Sequence, residues 1–348
     1  MIDALLMVLG IIAIASVWVD MFNVIAPRAA RGFSWSGGLA SIAWPVWLAT
    51  MRGIPSPARR HAALSAFAPA FVALSVLLWL ALLIVGYGFV FFAVRHQLHS
   101  IATVGDAVYF AGVTLLTIGY GDIVPDGAAA RFVAISAGVN GVALFALTTS
   151  FLFQLFSSFL RREAFVIHIA TRAGRPCNGV VLLEHFARMR RLDRLTGLFE
   201  ASEQWVASII ETHTAYPGLV LFRSNDVDLS WIAAVVSVMD AAALFATAVR
   251  RADAAAAEEL IELGRYGGRS LEAYIPSAAH AVAPLLSPEA FAAAIDRLVA
   301  AGIETHDAAS AYERFSKLRQ SYVAPFVKLA GSLAMPSGAW PGTEPAKS

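Results

Sequence analysis

The sequence predicts an all-α membrane protein in which three transmembrane helices are followed by a helical domain. Hydrophobic residues make up 58% of the 348 positions and charged residues only 15%, whereas soluble domains are about half apolar and one quarter charged. Three apolar segments are each long enough to cross a bilayer core, which needs about 20 helical residues. The region after them is Ala-rich, has helical periodicity and is long enough to form a domain.

The three predicted spans are Ile2–Ile25, Leu64–Val94 and Ala130–Leu160. The first is apolar as far as Asp20, which falls near one interface, and it lacks the basic start that a cleaved signal peptide would have. The second is longer than a straight crossing requires, so it tilts or projects beyond the lipid. The third stops at a pair of arginines.

Basic residues set the predicted orientation, because Arg and Lys accumulate on the cytoplasmic side of membrane proteins. They follow the first and the third spans: Arg28, Arg31, Arg52, Arg59, Arg60, Arg161, Arg162, Arg172 and Arg175. The N-terminus and the segment 95–129 are then expected outside, and the C-terminus in the cytoplasm. The expected location is the inner cell membrane.

Two further apolar segments could alter this count of spans. Gly37–Met51 is short and contains Pro45, so we interpret it as an interfacial helix. Ser230–Val249 is apolar enough for a fourth span, but Asp240 at its centre would be costly in lipid. A buried helix of a soluble bundle is the preferred interpretation of that segment.

A conspicuous motif lies between the second and third spans. From Asp106 to Asp122 the chain reads Asp-Ala-Val-Tyr-Phe-Ala-Gly-Val-Thr-Leu-Leu-Thr-Ile-Gly-Tyr-Gly-Asp. This segment resembles the pore-loop family of potassium channels, whose filter reads Thr-Val/Ile-Gly-Tyr-Gly-Asp. The resemblance covers about residues 64–160, and within the filter only Ile118 departs from the commonest form. It implies a re-entrant pore helix followed by a selectivity filter.

The residue types suit the chemistry of a filter. A potassium ion in a narrow pore must replace its water shell, and backbone carbonyls can supply the oxygens if they point at one axis. Gly119 and Gly121 tolerate the positive φ that turns the backbone this way. The resemblance implies K⁺ sites formed by carbonyls and one hydroxyl, from Thr117, Ile118, Gly119 and Tyr120, with Gly121 completing the filter.

The same resemblance assigns roles to side chains around the filter. Ile118 and Tyr120 would point away from the axis and brace the filter, and Asp122 would sit at the outer mouth. The stretch from Asp106 to Thr117 is predicted as the pore helix, with Asp106 as its N-cap. At about 12 residues this helix is too short to span the membrane.

The tripeptide of the filter also occurs earlier in the chain. Gly86-Tyr87-Gly88 lies within the second span, without a preceding Thr or a following Asp. We expect this copy to serve helix packing.

Two glycines near the middle of the third span, Gly138 and Gly141, suggest either a gating hinge or close helix packing. A hinge would let the lower half of the pore-lining helix splay open. The position of Gly141 relative to the filter favours it in the family comparison. Both alternatives stay open at the sequence level.

The predicted organisation is a first helix with a basic linker (1–63), a pore domain (64–160), a cytoplasmic helical domain (161–333) and a disordered tail (334–348). Within the helical domain, three helices are expected at Leu198–Thr212, Ile232–Arg250 and Ala254–Leu263. A fourth should begin at Ser287-Pro288-Glu289 and stop at Gly302.

Several functional classes find no support. No helix carries Arg or Lys at every third position, so no voltage sensor is expected. There is no dinucleotide-binding glycine motif after a strand, the histidines lack metal-ligand spacing, and no nucleophile–base arrangement suggests an enzyme. A net charge of +1 gives no indication of nucleic-acid binding. The basic cluster Arg188, Arg190, Arg191 and Arg194 suggests a solvated helix face or an anion contact.

The sequence thus predicts a potassium-selective channel subunit that conducts K⁺ passively as a homotetramer in lipid, without a cofactor. A cytoplasmic ligand is possible and unidentified. Two alternatives stay open: a potassium-responsive membrane sensor with a non-conducting pore domain, and a less selective cation channel.

Overall fold

Twelve α-helices form the described part of the chain in the computed structural model, which describes residues 1–25, 34–250, 253–272, 286–338 and 340. These residues contain no β-strand, only the isolated bridges Leu98–Pro125 and Val249–Thr305. Arg28 and Arg31 of the predicted basic linker and most of the predicted tail lie outside the described residues. The chain divides into two units, residues 1–53 with 66–157 and residues 54–65 with 158–348.

Five helices contribute to the first unit. They are α1 (Ile2–Ile25), α2 (Trp35–Met51), α4 (Phe67–Ala93), α5 (Val104–Leu115) and α6 (Ala128–Ala173), of which only the first part of α6 belongs here. The core of the unit consists of residues from α1, α4, α5 and the start of α6. Its short helix α5 packs along α4 and connects through the candidate filter segment to α6.

The second unit is a helical bundle. Its helices are α3 (Pro57–Ser65), the end of α6, α7 (Gly179–Arg188), α8 (Leu195–Ala215), α9 (Trp231–Ala248), α10 (Ala255–Glu272), α11 (Pro288–Ala300) and α12 (Ala308–Ser332). The sequence predicts α8 to α11 to within a few residues at most ends, although α10 extends well beyond Leu263. It does not predict α7 or α12. The segment 54–65, expected as linker, packs with this bundle.

Four helices in the described residues are long and apolar enough to cross a membrane. In the helices at residues 2–25, 57–93 and 128–173, only 11%, 22% and 17% of the most apolar window is buried within the chain, but in α9 the share is 94%. The first three therefore present apolar surface to lipid or to other chains, and α9 buries its own inside the bundle. The chain is a multi-pass membrane protein.

Asp240 on α9 is buried among hydrogen-bond donors rather than exposed to lipid. Its carboxylate accepts from the Arg319 guanidinium at 3.0 Å and from the Tyr322 hydroxyl at 2.6 Å, both on α12. Burial beside this carboxylate raises the pKa of Tyr322 well above its ordinary value, so the phenol stays protonated as the donor. This pairing supports the interpretation of residues 230–249 as a buried helix.

Another buried carboxylate, Asp20, lies near the end of α1 and is fully enclosed. It accepts from the Trp79 indole at 2.8 Å, the Ser34 hydroxyl at 2.8 Å and the Ser36 amide at 3.2 Å. Ser34 in turn caps α2 by accepting from the Gly37 amide. Asp20 thus joins α1, α4 and the start of α2, because three donors offset the cost of burying its charge.

Helix α6 continues past the predicted end of the third span, and Arg162 is buried rather than exposed. Its guanidinium donates to the Phe222 carbonyl at 2.7 Å and to Glu163 at 3.0 Å, and it lies 3.3 Å from His213. Burial and the neighbouring arginine lower the pKa of His213 to about 3, so this imidazole is neutral at physiological pH.

The start of the predicted tail packs against the bundle. Met335 and Trp340 are buried, and the Trp340 ring lies 5.3 Å from that of Phe315. The Arg223 guanidinium donates to the carbonyls of Leu333 and Ala334. The packed part of the chain therefore extends beyond Ala334, where the sequence predicts disorder to begin.

Candidate functional site

The N-cap of the candidate pore helix, α5, lies three residues before the N-cap that the sequence predicts. Thr103 is the N-cap: its hydroxyl accepts from the Asp106 amide at 3.2 Å, and the Asp106 carboxylate accepts from the Thr103 amide at 2.8 Å. This reciprocal pair is a capping box. The prediction of Asp106 as N-cap is wrong, because its carboxylate acts from the third helical position.

The other end of α5 leads directly into the candidate filter. The Ile118 amide donates to the Val113 carbonyl at 2.8 Å, and the Thr117 amide donates to the Thr114 carbonyl at 3.1 Å. These two bonds form a Schellman motif, whose left-handed residue is usually glycine. Here it is Thr117, with φ +55°. A β-branched residue in this region is strained, and such strain is concentrated at functional sites.

Positive φ then recurs at every second residue. Gly119 has φ +64° and Gly121 has φ +79°, the conformation predicted for these two glycines. A Cβ added to either would meet no atom within 4 Å, so the backbone conformation and not crowding requires glycine. Alternation of left-handed with ordinary residues turns successive carbonyls toward one side, the arrangement that a carbonyl-lined ion path needs.

Asp122 is held by α5. The Tyr109 hydroxyl donates to its carboxylate at 2.9 Å, which ties the end of the filter segment back to the helix that precedes it. Sequence reasoning missed this partner, although Tyr109 lies in the motif and is a suitable donor.

Ile118 and Tyr120 are not braced within the chain. Their exposed fractions are 47% and 70%, which is high for large apolar and aromatic side chains. The bracing that the resemblance implies for them therefore needs atoms from outside this chain.

The residues after the filter are hydrogen-bonded to the loop before α5. The Asp126 amide donates to the Gln97 carbonyl at 2.9 Å, and the His99 amide donates to the Val124 carbonyl at 3.1 Å. The Gln97 side chain also accepts from the amides of Ala129 and Ala130, which caps the start of α6. Both ends of the filter segment are thus anchored within the first unit.

The two glycines of the predicted hinge have different surroundings. A Cβ at Gly141 would overlap the carbonyl oxygen of Leu115 at the end of α5, whereas one at Gly138 would meet nothing within 4 Å. Next to Gly141, the Asn140 amide oxygen accepts from the Trp18 indole of α1. Gly141 lets α6 approach α5 closely. The sequence alone did not distinguish this packing role from a hinge.

The earlier Gly-Tyr-Gly copy packs helices together. A Cβ at Gly88 would lie 2.5 Å from Val108 of α5, and one at Gly10 of α1 would lie 2.5 Å from the Gly86 carbonyl oxygen. Tyr87 is buried. The prediction that this copy serves packing is confirmed.

No group of three or more His, Cys, Asp or Glu side chains within the described ranges could hold a metal ion. In the candidate filter from Thr117 to Gly121 the oxygen ligands are backbone carbonyls and the hydroxyls of Thr117 and Tyr120. Such neutral oxygens suit a weakly held monovalent cation in transit.

Comparison with known proteins gives matches centred on this region. Residues 77–158 match the family described as "Ion channel". A putative potassium channel protein, RPA4233, of Rhodopseudomonas palustris is 35% identical over 80 residues, which cover 23% of this chain and 19% of that protein. Two-pore potassium channel 1 of Arabidopsis thaliana is 39% identical over 71 residues, 20% of each chain.

A longer match extends beyond the pore region. The uncharacterized membrane protein YdjJ of Bacillus subtilis is 21% identical over 187 residues, 52% of this chain and 54% of that protein. The chain spans about half the length of this relative and about one fifth of the other two. No solved structure matches.

Proposed function

We propose that this protein is a subunit of a potassium-selective channel that conducts K⁺ passively across the cell membrane, and the match of residues 77–158 to the ion channel family supports this. The observation that carries the proposal is the filter segment, with positive φ at Thr117, Gly119 and Gly121. It follows a short capped helix, as a re-entrant pore loop requires. Family and chemistry both point to a channel rather than an enzyme.

The proposed ion path is a column of oxygens. The carbonyls of the filter and one hydroxyl replace the water shell of K⁺, from Thr117, Ile118, Gly119 and Tyr120. Asp122, fixed by Tyr109, adds negative charge at the outer mouth and attracts cations. Irregular backbone at this depth is tolerated because it lines a water-filled path.

A single chain supplies one quarter of each oxygen ring, so the proposed assembly is a homotetramer. The apolar residues that a neighbouring subunit would cover are exposed on this chain. They lie on the filter and on α6: Ile118, Tyr120, Phe132, Ile135, Val139, Val142 and Phe145. An exposed apolar surface of this extent is typical of a binding face.

The proposed topology places the N-terminus and the filter outside and the C-terminus in the cytoplasm. The Asp3 carboxylate at the start of α1 pairs with Arg95 beyond the end of α4 at 2.7 Å. Both residues therefore lie on the same face of the first unit, as two antiparallel spans require. The basic residues after α1 and α6 assign that face to the outside.

Gating is proposed to involve α6, with a hinge at Gly138 or Gly141. Glycine costs roughly 1 kcal/mol in a helix interior relative to Ala, so either position weakens the helix locally. Gly141 lies so close to Leu115 that a larger side chain would not fit there. Gly138 has no such close neighbour within this chain.

The experiment is ion flux from liposomes that contain only the purified protein, measured with K⁺ and with Na⁺. We expect K⁺ flux to exceed Na⁺ flux, because the filter carbonyls replace the water shell of K⁺. Gly119→Ala should abolish K⁺ flux. Gly38→Ala is the matched control, because Gly38 lies on α2 with no atom within 4 Å of an added Cβ.

Each other outcome redirects the proposal. Equal Na⁺ and K⁺ flux would replace selective conduction with a general cation channel. Absence of flux from folded tetramers under all ionic gradients would favour a membrane sensor with a non-conducting pore domain.

A further inference from the structure

The helical unit contains a cavity of about 470 Å³ that is open to solvent and that the proposed ion path does not use. Its walls come from the end of α6, from α7 and the residues that follow it, from the 3₁₀ turn Leu192–Arg194 and from the first two turns of α8. Small-molecule sites are typically about 300–1,000 Å³ in volume. The cavity is therefore large enough for a compact organic ligand.

Basic side chains dominate its lining. Among the described residues that line it none is acidic, and five carry a guanidinium or an imidazole: His168, Arg172, His185, Arg191 and Arg194. Asp193 lies 3.8 Å from Arg194, but both side chains are about two-thirds exposed, so the pair is weak. The guanidinium fork matches the oxygens of phosphate in two parallel hydrogen bonds.

The local backbone directs this charge to the cavity. The turn after α7 closes with hydrogen bonds of 2.9 Å from the Arg190 amide to Ala187 and from the Arg191 amide to Phe186. Arg190 takes the left-handed position of this turn, with φ +55°, and the next residue, Arg191, lines the cavity. Helix α8 begins here without a side-chain cap, so the positive end of its dipole adds to the same field.

One wall of the cavity is apolar. Phe186, Met189 and Leu198 contribute to the lining. The His168 ring lies 5.4 Å from Phe165, which stacks on Trp205 at 4.5 Å. A ligand that fills this space combines an anionic group with an apolar or planar body.

We propose that this cavity binds a phosphate monoester joined to an apolar or planar body. A nucleotide and a phospholipid headgroup are the two sources of that chemistry. The inference concerns binding alone, so it holds or fails independently of ion conduction.

The first test titrates adenosine monophosphate into the purified full-length protein in neutral detergent and measures binding by calorimetry. Adenosine serves as the probe without the phosphate and should bind at least roughly tenfold more weakly. Arg172→Gln and Arg191→Gln should each weaken adenosine monophosphate by roughly tenfold or more. Arg190→Gln, an exposed neighbour outside the lining, should change affinity by less than about twofold.

The second test uses lipid nanodiscs of phosphatidylcholine with and without phosphatidic acid. If the source is a lipid, phosphatidic acid raises the melting temperature of the wild-type protein, and the rise is lost in Arg172→Gln and in Arg191→Gln. Binding in either test, with loss in both cavity variants, supports the proposal and identifies the source. Failure of both probes, equal binding of adenosine, or unchanged binding in Arg172→Gln and Arg191→Gln would overturn it. Melting of the ligand-free variants confirms that they are folded.

Discussion

The chain contains the tripeptide Gly-Tyr-Gly twice, and the two copies use glycine for opposite reasons. In Gly86-Tyr87-Gly88 the backbone is helical, the tyrosine is buried, and added Cβ atoms would lie 2.5–3.2 Å from neighbouring helices. In Gly119-Tyr120-Gly121 both glycines have positive φ and the tyrosine is 70% exposed. An added Cβ in the second copy would touch nothing within 4 Å.

The difference shows that a short motif has no fixed structural meaning. The first copy lies within a long apolar run, where a continuous helix satisfies every backbone group. The second follows helix α5, which ends at Leu115, and both of its glycines take positive φ. Flanking residues thus decide whether glycine provides space or conformation.

The largest expected effect is loss of conduction in Gly121→Ala. A left-handed conformation costs a non-glycine residue about 1–2 kcal/mol, and the proposed tetramer repeats that cost in all four subunits. The filter should therefore leave its conducting conformation, while helix packing in each subunit is unchanged. Potassium flux from liposomes should fall to background, and the tetramer should elute from a sizing column as the wild type does.

The matched variant is Gly88→Ala, in the other copy of the tripeptide, whose glycine is needed for space. Any of its tetramers that assemble should still prefer K⁺ to Na⁺. Normal flux in Gly121→Ala would contradict the conformational role of the filter glycines.

The second effect in size concerns α6. In Gly141→Ala the new methyl group overlaps the Leu115 carbonyl, and this backbone atom can move only if the end of α5 moves. We expect a loss of stability at or above the upper end of the usual 1–3 kcal/mol for overpacking, measured as thermal melting in detergent. Gly138→Ala meets no atom within 4 Å and should gain helix stability of up to about 1 kcal/mol.

This pair of variants also separates packing from hinge motion. If Gly138 is the hinge, Gly138→Ala melts at or slightly above the wild-type temperature, but the channel opens more slowly. Equal melting temperatures for Gly141→Ala and the wild type would show that the close approach is not required.

The third expected effect is a difference in stability between substitutions at the two glycines of Gly86-Tyr87-Gly88. Gly88→Ala places a methyl group 2.5 Å from the Val108 side chain and 2.9 Å from its Cα, whereas the closest contacts of Gly86→Ala are 3.1–3.2 Å. We expect Gly88→Ala to lower the free energy of unfolding by about 1–3 kcal/mol. In Gly86→Ala a gain in helix propensity of about 1 kcal/mol offsets most of the crowding. Melting curves that rank the two in the reverse order would refute this.

Local patterns were enough to predict most helices and the filter glycines. Apolar length located the three spans, and Ser287, Pro288 and Gly302 bounded α11 because capping and chain reversal depend on nearby residues. The requirement for positive φ at Gly119 and Gly121 likewise follows from their own chemistry.

Features that depend on distant partners could not be predicted in the same way. Nothing near Asp240 in the sequence indicates Arg319 and Tyr322, which lie about 80 positions later. Asp20 and Trp79 are similarly remote. The capping error arose because Thr103 and Asp106 are both suitable caps, and only backbone geometry decides between them.

The smallest expected effect is a gain in stability rather than a loss. Thr117 holds a left-handed conformation in a motif that normally uses glycine, so Thr117→Gly should relieve about 1–2 kcal/mol of strain. The greater freedom of glycine in the unfolded chain offsets about 0.4–1 kcal/mol of this, which leaves a gain in stability of about 0–1.6 kcal/mol, measured by thermal melting. Potassium selectivity should nevertheless fall, because the hydroxyl is lost from the proposed ion path.

Thr114→Gly is the control: this threonine is helical, and its replacement should be destabilising. If Thr117→Gly and Thr114→Gly lower the melting temperature equally, Thr117 is not strained. The need for a hydroxyl in the ion path is then no longer required to explain why threonine occupies this position.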